Sequence, residues 1–355
     1  MPRPEPYYSE VGTIPTKPSV RQKLVAAGFR KLDELYDLTP VELAGEADVS
    51  PEDAQEVLDA IGGRHASGRV LRLASRSGAD VLAAERARRD VTTFCPDLDE
   101  LLGGGVAPGE VTELCGVPGV GKTQLGAQLA ISVQLPECLG GLGGECVYVD
   151  TEGSFLLERV AEMADAAARH VRNVARAGSD PALSAAAEAF TGEGVLDGIH
   201  YVRVHDATEQ RAVVESLPDL LSQHPAVRLV VIDSVAFHYR QAVEDMPGRT
   251  RLLAQMSQDL TSLAARRGVA VVTTNQVTTK VYGDGSSKLV PALGESFAHA
   301  CTTRVVLHWD GPERVARLFK SPRLPPGAVS FCVTADGVRA RRAAHKRPAA
   351  PQQAV

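Results

Sequence analysis

The sequence lacks the cysteine spacing of a zinc ribbon or a disulfide framework. Its six cysteines, at positions 95, 115, 138, 146, 301 and 332, include no C-x-x-C pair. Cys115 and Cys146 fall within apolar strand candidates, where a buried thiol behaves as a small hydrophobic group. We therefore expect a reducing compartment, without disulfides and without zinc.

Long apolar runs and a general excess of positive charge are also absent. No apolar run approaches the roughly 20 residues of a membrane span. The N-terminus, MPRPEPYYSE, lacks the apolar core of a signal peptide, so we expect no membrane association. The net charge of −6 excludes a surface coated for nucleic acid, and any DNA contact must come from local basic segments.

The composition that remains, 44% hydrophobic and 23% charged residues in a chain of 355, is typical of a globular protein of roughly two domains. Residues 11–64 alternate four or five short helical patterns with breakers, a pattern open to either docking or DNA-backbone contact. A polar, Arg- and Ala-rich linker follows over 65–90. Strands and helices then alternate over 91–340, which predicts an α/β core with a mostly parallel sheet. A basic tail, predicted to be disordered, ends the chain at 341–355.

A phosphate-binding loop lies in the core. GVPGVGKT (116–123) fits G-x-x-x-x-G-K-[ST], between a β-prone run and a helical pattern over 122–134. Its glycines let successive backbone N–H groups converge on phosphate oxygens, and the helix that follows favours anions at its N-terminus. Lys122 brings a positive charge to the β- and γ-phosphates, and the hydroxyl of Thr123 can ligate Mg²⁺. The predicted nucleotide contacts here are Gly116, Val117, Pro118, Gly119, Val120, Gly121, Lys122, Thr123 and Gln124.

Two apolar strands end in carboxylates. ECVYVDTEGSF (145–155) places Glu152 just after a strand, and VRLVVIDSVAF (227–237) places Asp233 at the end of another. Because ligands gather at the carboxyl ends of such strands, we assign Asp233 to the Mg²⁺ shell and Glu152 to the attacking water. The alternative is that each is a solvated acid at a strand end.

A third strand, predicted over Val269–Thr274, leads into a polar amide. Gln276 follows it and can sense the γ-phosphate, and a Gly/Ser-rich loop over Val277–Leu293 can move with that amide. Alternatively, the loop is only a flexible connection, without a function of its own, between this strand and the next one, Thr303–Trp309.

Together these stretches resemble the RecA/RadA recombinases of homologous recombination. The resemblance rests on TFCPDLDELLGGGVAPGEVTELCGVPGVGKTQLGAQLA, VDTEGSF, LVVIDSVAF, TTNQVTTKV and PALGESFAHACTTR, and covers residues 15–340. Among these proteins the match is closest to the C-type paralogues of the eukaryotic RecA-like recombinase. The resemblance implies a RecA-type P-loop ATPase core on a twisted, mostly parallel sheet, preceded by a small all-α domain.

The resemblance also implies roles for single residues. Glu152 becomes the catalytic glutamate, with Lys122 and Gln276 as catalytic partners on the phosphates. Arg159 matches a position that stacks on adenine. His299 matches a nucleotide-sensing histidine, although taken by itself it fits a hydrogen-bonded core histidine better. Two DNA-facing loops run over 237–251 and 277–293, and their basic residues are Arg240, Arg249, Arg251, Lys280 and Lys288.

Two features set the chain apart from a strand-exchange enzyme. The family's Phe-x-x-Ala linker hook is missing, because no phenylalanine lies between Arg64 and Val91. Val81 and Leu82 are candidates for a different paralogue's pocket. The basic cluster of the tail fits a nuclear-import signal or, alternatively, a solubilising tail; it consists of Arg339, Arg341, Arg342, Lys346 and Arg347.

The expected function is that of a slow DNA-dependent ATPase that binds ATP and Mg²⁺. It would act with other recombinase paralogues in heteromeric complexes that help the main recombinase load onto, or persist on, single-stranded or branched DNA. The expected location is the nucleus, with some protein in the cytoplasm. Two alternatives stay open: a strand-exchange recombinase that forms its own filament, and an adaptor that holds ATP without hydrolysing it.

Overall fold

The computed structural model describes residues 11–35, 38–61, 77–178, 180–241, 246–281, 287–291 and 300–341. Within these ranges, residues 13, 33, 240–241, 246–247, 278–281 and 287–291 are described by their backbone. The chain divides into two compact units, Met1–Arg86 and Ala87–Val355. Among the described helices, none has the length and apolar character needed to cross a membrane.

The first unit is helical in its described part. It contains α1 (Pro18–Ala26), α2 (Pro40–Ala47) and α3 (Pro51–Ala60), with 3₁₀ turns at Val11–Thr13 and Leu32–Glu34. Each α-helix has proline in its first turn, where the missing N–H costs nothing. The side chains of Thr39 and Ser50 cap α2 and α3. A small apolar core holds these helices together; it includes Leu24, Leu35, Leu43, Val57 and Ile61.

The predicted linker contains a helix, α4 (Gly78–Ala87), on which no residue is buried. Ser77 begins it, since its hydroxyl accepts a hydrogen bond from the backbone N–H of Asp80 at 3.0 Å. Val81 and Leu82 are 40% and 45% exposed. The described part of the predicted linker is therefore largely helical.

The second unit is an α/β domain. Its helices are α5 (Pro96–Leu101), α6 (Lys122–Ser132), α7 (Leu157–Ala177), α8 (Pro181–Ala189), α9 (Gly192–Asp197), α10 (Ala207–Gln223), α11 (Phe237–Gln241) and α12 (Met246–Arg267), with a 3₁₀ turn at Glu137–Leu139. Its strands are β1 (Val111–Gly116), β2 (Glu145–Asp150), β3 (Ile199–Arg203), β4 (Val227–Asp233), β5 (Ala270–Val281), β6 (Ser287–Pro291), β7 (Thr303–Asp310), β8 (Glu313–Lys320), β9 (Gly327–Thr334) and β10 (Gly337–Ala340).

The sheet runs in the order β10-β9-β8-β7-β1-β5-β4-β2-β3. The pairings from β7 through β1, β5, β4 and β2 to β3 are parallel, and those from β7 to β10 are antiparallel. One apolar layer packs under α6 and α7 and another under α10 and α12, so the central strands are buried on both faces. The predicted RecA-type, mostly parallel core is confirmed.

The predicted loop over Val277–Leu293 is wrong for most of its length. β5 continues to Val281 and pairs antiparallel with β6 as a hairpin. The run VTTKV is rich in β-branched residues that favour a strand, and the Gly/Ser residues cluster in 282–286, outside the described residues. The first predicted DNA-facing loop, 237–251, is also largely helical, because α11 and the start of α12 lie within it.

The basic cluster assigned to the tail begins inside the fold. Arg339 lies in β10, where its guanidinium donates to Oε1 of Gln128 at 3.2 Å and lies over the ring of Phe94. Arg341 forms an ion pair with Glu313. The other basic residues of the cluster, Arg342, Lys346 and Arg347, lie outside the described residues.

Candidate nucleotide site

The carboxyl ends of four central strands lie side by side. In the order β1-β5-β4-β2, Gly116 is in register with Gln276, and Asp150 is in register with Asp233. The phosphate loop, the amide and the two acids found in the sequence therefore meet at one edge of the sheet. This is the edge where parallel α/β sheets bind ligands.

The loop backbone has a shape that few residues other than glycine allow. A Cβ on Gly116 would lie 2.4 Å from the carbonyl oxygen of Leu307, and Gly119 and Gly121 have φ angles of 76° and 111°. Helix α6 begins within the last two residues of the loop motif, at Lys122. The N–H groups of the loop and of the first helical turn thus converge where an anion is stabilised.

Lys122 is the cation of this site and is only 9% exposed. Its Nζ donates to the carbonyl oxygens of Gly116 at 2.9 Å and Val117 at 3.0 Å. Burial lowers the pKa of Lys122, and the nearby charges of Asp233 and Glu152 act in the opposite direction. Lys122, Asp233 and Glu152, which were predicted from three separate stretches of sequence, therefore interact electrostatically.

Asp233 is almost fully buried and is surrounded by hydroxyl groups. Tyr148 donates to Oδ2 at 3.0 Å, and Thr274 donates to Oδ1. Burial raises the pKa of Asp233, while hydrogen bonds from Thr274, Thr123 and Tyr148 oppose that rise. The hydroxyl of Thr123 and the carboxylate of Asp233 are hard oxygen donors, which fits Mg²⁺ at the mouth of a phosphate loop.

Glu152 is held at the same edge by two donors. Its Oε1 accepts from Oγ of Ser234 at 2.7 Å and from Nε2 of Gln276 at 3.2 Å. The structure thus brings Glu152 and Gln276 into direct contact, although 124 residues separate them. A carboxylate fixed in this way has a defined direction from which to orient a water molecule.

Asp150 shapes the turn that carries Glu152, a role that the sequence did not reveal. It is 1% exposed, and its Oδ1 accepts from the backbone N–H groups of residues 152–154 at 2.7–3.3 Å. Its Oδ2 accepts from the N–H of Phe155 at 3.3 Å and from the hydroxyl of Tyr201 at 3.0 Å. Asp150 is therefore a positioning residue behind Glu152.

A buried ion pair lies within the strands that carry the loop and the amide. Glu113 of β1 accepts from Nε of Arg304 in β7 and, at 2.7 Å, from Nδ2 of Asn275 in β5. The side chains of Glu113 and Arg304 are 0% and 6% exposed. The contacts span three adjacent strands, and removing one partner of the pair would leave the other as an uncompensated buried charge.

Arg159 is fixed by polar contacts beside the loop. Its Nε donates to Oε1 of Gln124 at 3.0 Å, and its terminal nitrogens donate to the carbonyl oxygens of Thr334 and Ala335. Arg159 and Gln124, both predicted nucleotide contacts, are thus neighbours. Stacking of Arg159 on adenine stays a prediction.

The predicted DNA-contacting residues lie on two helices and two strands. Arg249 is half-buried and Arg251 is exposed on α12. Lys280 of β5 and Lys288 of β6 occupy directly paired backbone positions in the hairpin, and the backbone of Arg240 belongs to α11. The side chains of these last three residues, and the whole of His299, lie outside the described part of the structure.

Sequence reasoning missed the residues that hold the predicted ones. Tyr148, Ser234 and Thr274 each bond an acid of the site, but none matches a named motif. The available signal was the polar run Thr273-Thr274-Asn275, because polar side chains within a buried strand need partners.

Comparisons with known proteins agree with this geometry. A family model described as Rad51 matches residues 86–178 and 180–341. The DNA repair protein RAD51 homolog 3 of Cricetulus griseus is 43% identical over 337 residues, 93% of this chain and 92% of that protein. The protein of the same name in Dictyostelium discoideum is 38% identical over 278 residues, 78% of this chain and 72% of that protein. The DNA repair and recombination protein RadA of Aeropyrum pernix is 35% identical over 329 residues, 91% of this chain and 93% of that protein.

The chain therefore belongs to the Rad51 family, as the motifs predicted, and its similarity extends to the paralogue group. Members of the family are DNA-dependent ATPases, and RecA/Rad51 ATPases use ATP with Mg²⁺.

Proposed function

We propose that this member of the Rad51 family is an ATP-dependent DNA-repair protein of homologous recombination. It would act as a recombinase paralogue in heteromeric complexes and hydrolyse ATP slowly. The observation that carries the proposal is the contact of Glu152 with Ser234 and Gln276, beside Lys122 and Asp233. That arrangement supplies a carboxylate for a water molecule and two groups for phosphates and a metal.

Each residue has a separate part in the proposed chemistry. The loop N–H groups and Lys122 bind the phosphates, and Thr123 and Asp233 would hold Mg²⁺. The metal, when bound, neutralises charge on the β- and γ-phosphates. Glu152 orients a water molecule and accepts its proton, in the direction that Ser234 and Gln276 fix. Positioning and charge neutralisation are sufficient for phosphoryl transfer.

In this proposal, β5 couples DNA binding to the nucleotide site. Gln276 contacts Glu152, and five residues further along the strand Val281 ends the first arm of the hairpin. Lys280 and Lys288 concentrate two positive charges at paired positions of that hairpin. An anion such as a DNA phosphate relieves the repulsion between like charges at such positions. DNA bound there would act on Gln276 through one continuous strand.

The proposed partners are other recombinase paralogues and the main recombinase. Helix α4 exposes Val81 and Leu82 and contains no phenylalanine. A pocket built for phenylalanine would lose part of the roughly 1.5–3 kcal/mol that burying such a side chain contributes. Smaller apolar residues favour a pocket of matching size on a different paralogue. The relatives named homolog 3 support this reading.

Nuclear location, with some cytoplasmic protein, is proposed from the basic segment after β10. Truncation after Gly337 is unsuitable as a test, because Val338 is fully buried and β10 would be lost. Truncation after Arg341 removes Arg342, Lys346 and Arg347 while keeping every described strand. A tagged truncation that stays nuclear without a partner would contradict this import signal.

The deciding experiment is ATP hydrolysis by the full chain with and without single-stranded DNA, alone and with co-purified partners. We expect slow, DNA-stimulated turnover that partners increase, and none for Lys122→Ala. Long filaments of the purified chain with ATP, Mg²⁺ and DNA would favour a strand-exchange recombinase. ATP binding without turnover under every condition would favour the adaptor.

A further inference from the structure

A second cluster of polar side chains lies at the opposite edge of the sheet. Glu145 is the first residue of β2, His200 is the second residue of β3, and His224 directly follows α10. Because β2 and β3 run parallel, both residues lie near the amino ends of their strands. The nucleotide site lies at the carboxyl ends, so the two clusters are separate.

The three side chains converge on one point. Each offers one ligand atom, and these atoms all lie within 4.8 Å of one another. Oε2 of Glu145 is 2.7 Å from Nε2 of His200, and the rings of His200 and His224 have centroids 4.1 Å apart. Ligand atoms in a tetrahedral zinc site are about 3.3–3.6 Å apart, as follows from metal–ligand distances of about 2.0–2.2 Å. Shifts on the order of 1 Å bring this cluster to that geometry.

We infer that Glu145, His200 and His224 form a binding site for a divalent transition metal, with Zn²⁺ as the fitting ion. Two imidazoles select against Mg²⁺ and Ca²⁺, which prefer oxygen ligands alone, whereas two histidines and one carboxylate are an established zinc donor set. All three residues are half-buried, so the ion stays accessible for loading. A water molecule would take the fourth position of the tetrahedral site.

The metal would tie together three segments that are distant in sequence. β3 is the outermost strand on its side of the sheet and pairs only with β2 among the described strands. A bound ion would join it to the start of β2 and to the turn between α10 and β4. The expectation of a protein without zinc rested on cysteine spacing and does not extend to a histidine–carboxylate site.

The first test is calorimetric titration of the metal-stripped full-length protein with Zn²⁺, without nucleotide. We expect one equivalent to bind, and His200→Gln and His224→Gln each to weaken binding at least about tenfold, the lower end of what even outer-shell partners cost. The control is His205→Gln, an exposed histidine just after the carboxyl end of β3 that pairs with Glu209 at 3.1 Å. Equal affinity in all three variants and the parent protein would overturn the site.

X-ray absorption of the zinc-loaded parent protein tests the ligands without any variant. Two imidazoles and only nitrogen or oxygen neighbours are expected. A neighbour at about 2.3 Å would show sulfur ligation, for example by the exposed Cys138, and would refute the inference.

Hydrogen exchange gives the structural readout: Zn²⁺ should slow amide exchange in β3. ATP hydrolysis by His224→Gln should be unchanged, so failure of this inference leaves the proposed ATPase untouched.

Discussion

The two surfaces that the proposed function requires are built differently. At the carboxyl ends of the central strands, Glu152, Asp233 and Lys122 are each held by hydrogen bonds to neighbouring groups. The candidate DNA contacts are instead distributed over α12 and the β5–β6 hairpin, and Arg251 is exposed to solvent. Phosphoryl transfer depends on fixed geometry, whereas binding of DNA phosphates depends mainly on the number of charges. Substitutions should therefore have abrupt effects at the first surface and graded effects at the second.

The largest effect is expected for Glu152→Gln. The amide oxygen can still accept from Ser234 or Gln276, so the fold and ATP binding should be retained, but the amide cannot accept a proton from water. The turnover number should fall by about 10²- to 10⁴-fold. Steady-state hydrolysis and equilibrium nucleotide binding measure the two effects separately. Glu158→Gln, an exposed acid in the first turn of α7, is the matched control. Parent-like turnover in Glu152→Gln would show that another group positions the water.

The next effect concerns the buried pair beneath the site. Arg304→Met leaves Glu113 as a buried charge without its arginine and should lower the free energy of unfolding by about 3–5 kcal/mol. The single tryptophan, Trp309, lies on the same strand as Arg304 and reports urea unfolding by its fluorescence. The double variant Glu113→Gln/Arg304→Met should regain much of the loss, because no unpaired charge remains. A double variant as unstable as Arg304→Met would mean that lost packing, rather than the charge, causes the effect.

A smaller, graded effect is expected at the DNA surface. Arg249→Ala combined with Lys280→Ala should reduce the slope of log affinity against log salt for single-stranded DNA by about 1.4, or about 0.7 for each phosphate contact. The loss should be similar for different base sequences. Arg211→Ala removes an exposed arginine that pairs with Glu215 and should leave the slope unchanged. An unchanged slope in the double variant would indicate that the helical unit or the tail binds DNA instead.

The smallest effect is expected from Tyr148→Phe. This change removes one hydrogen bond to Asp233 and leaves the ring in its packed position beside Phe155. The loss should be about 0.5–1.5 kcal/mol in unfolding free energy, since the bonds from Thr274 and Thr123 remain. Urea unfolding followed through Trp309 measures it. A loss as large as that of Arg304→Met would show that Tyr148 supports more than one carboxylate.

The strand and helix around the phosphate loop could be predicted because local sequence determines them. β1 and α6 agree within a residue or two with the apolar runs that predicted them. The hairpin over 277–291 was missed, because its glycines and serines dominated the composition while the β-branched residues on either side determined the structure. Helix α11 and the start of α12 were missed for another reason, since the family resemblance implied a DNA-facing loop there.

The sequence by itself determined the phosphate loop, the two acids and the amide at strand ends, and the family, because each is encoded in a short contiguous motif. Only the tertiary structure decided which groups hold those residues: Tyr148 and Thr274 on Asp233, and Ser234 on Glu152. The same holds for Glu145, His200 and His224, which come together through the parallel pairing of β2 with β3 and the return of the chain after α10. Contacts between residues far apart in sequence depend on strand order and register, and neither is written in any local pattern.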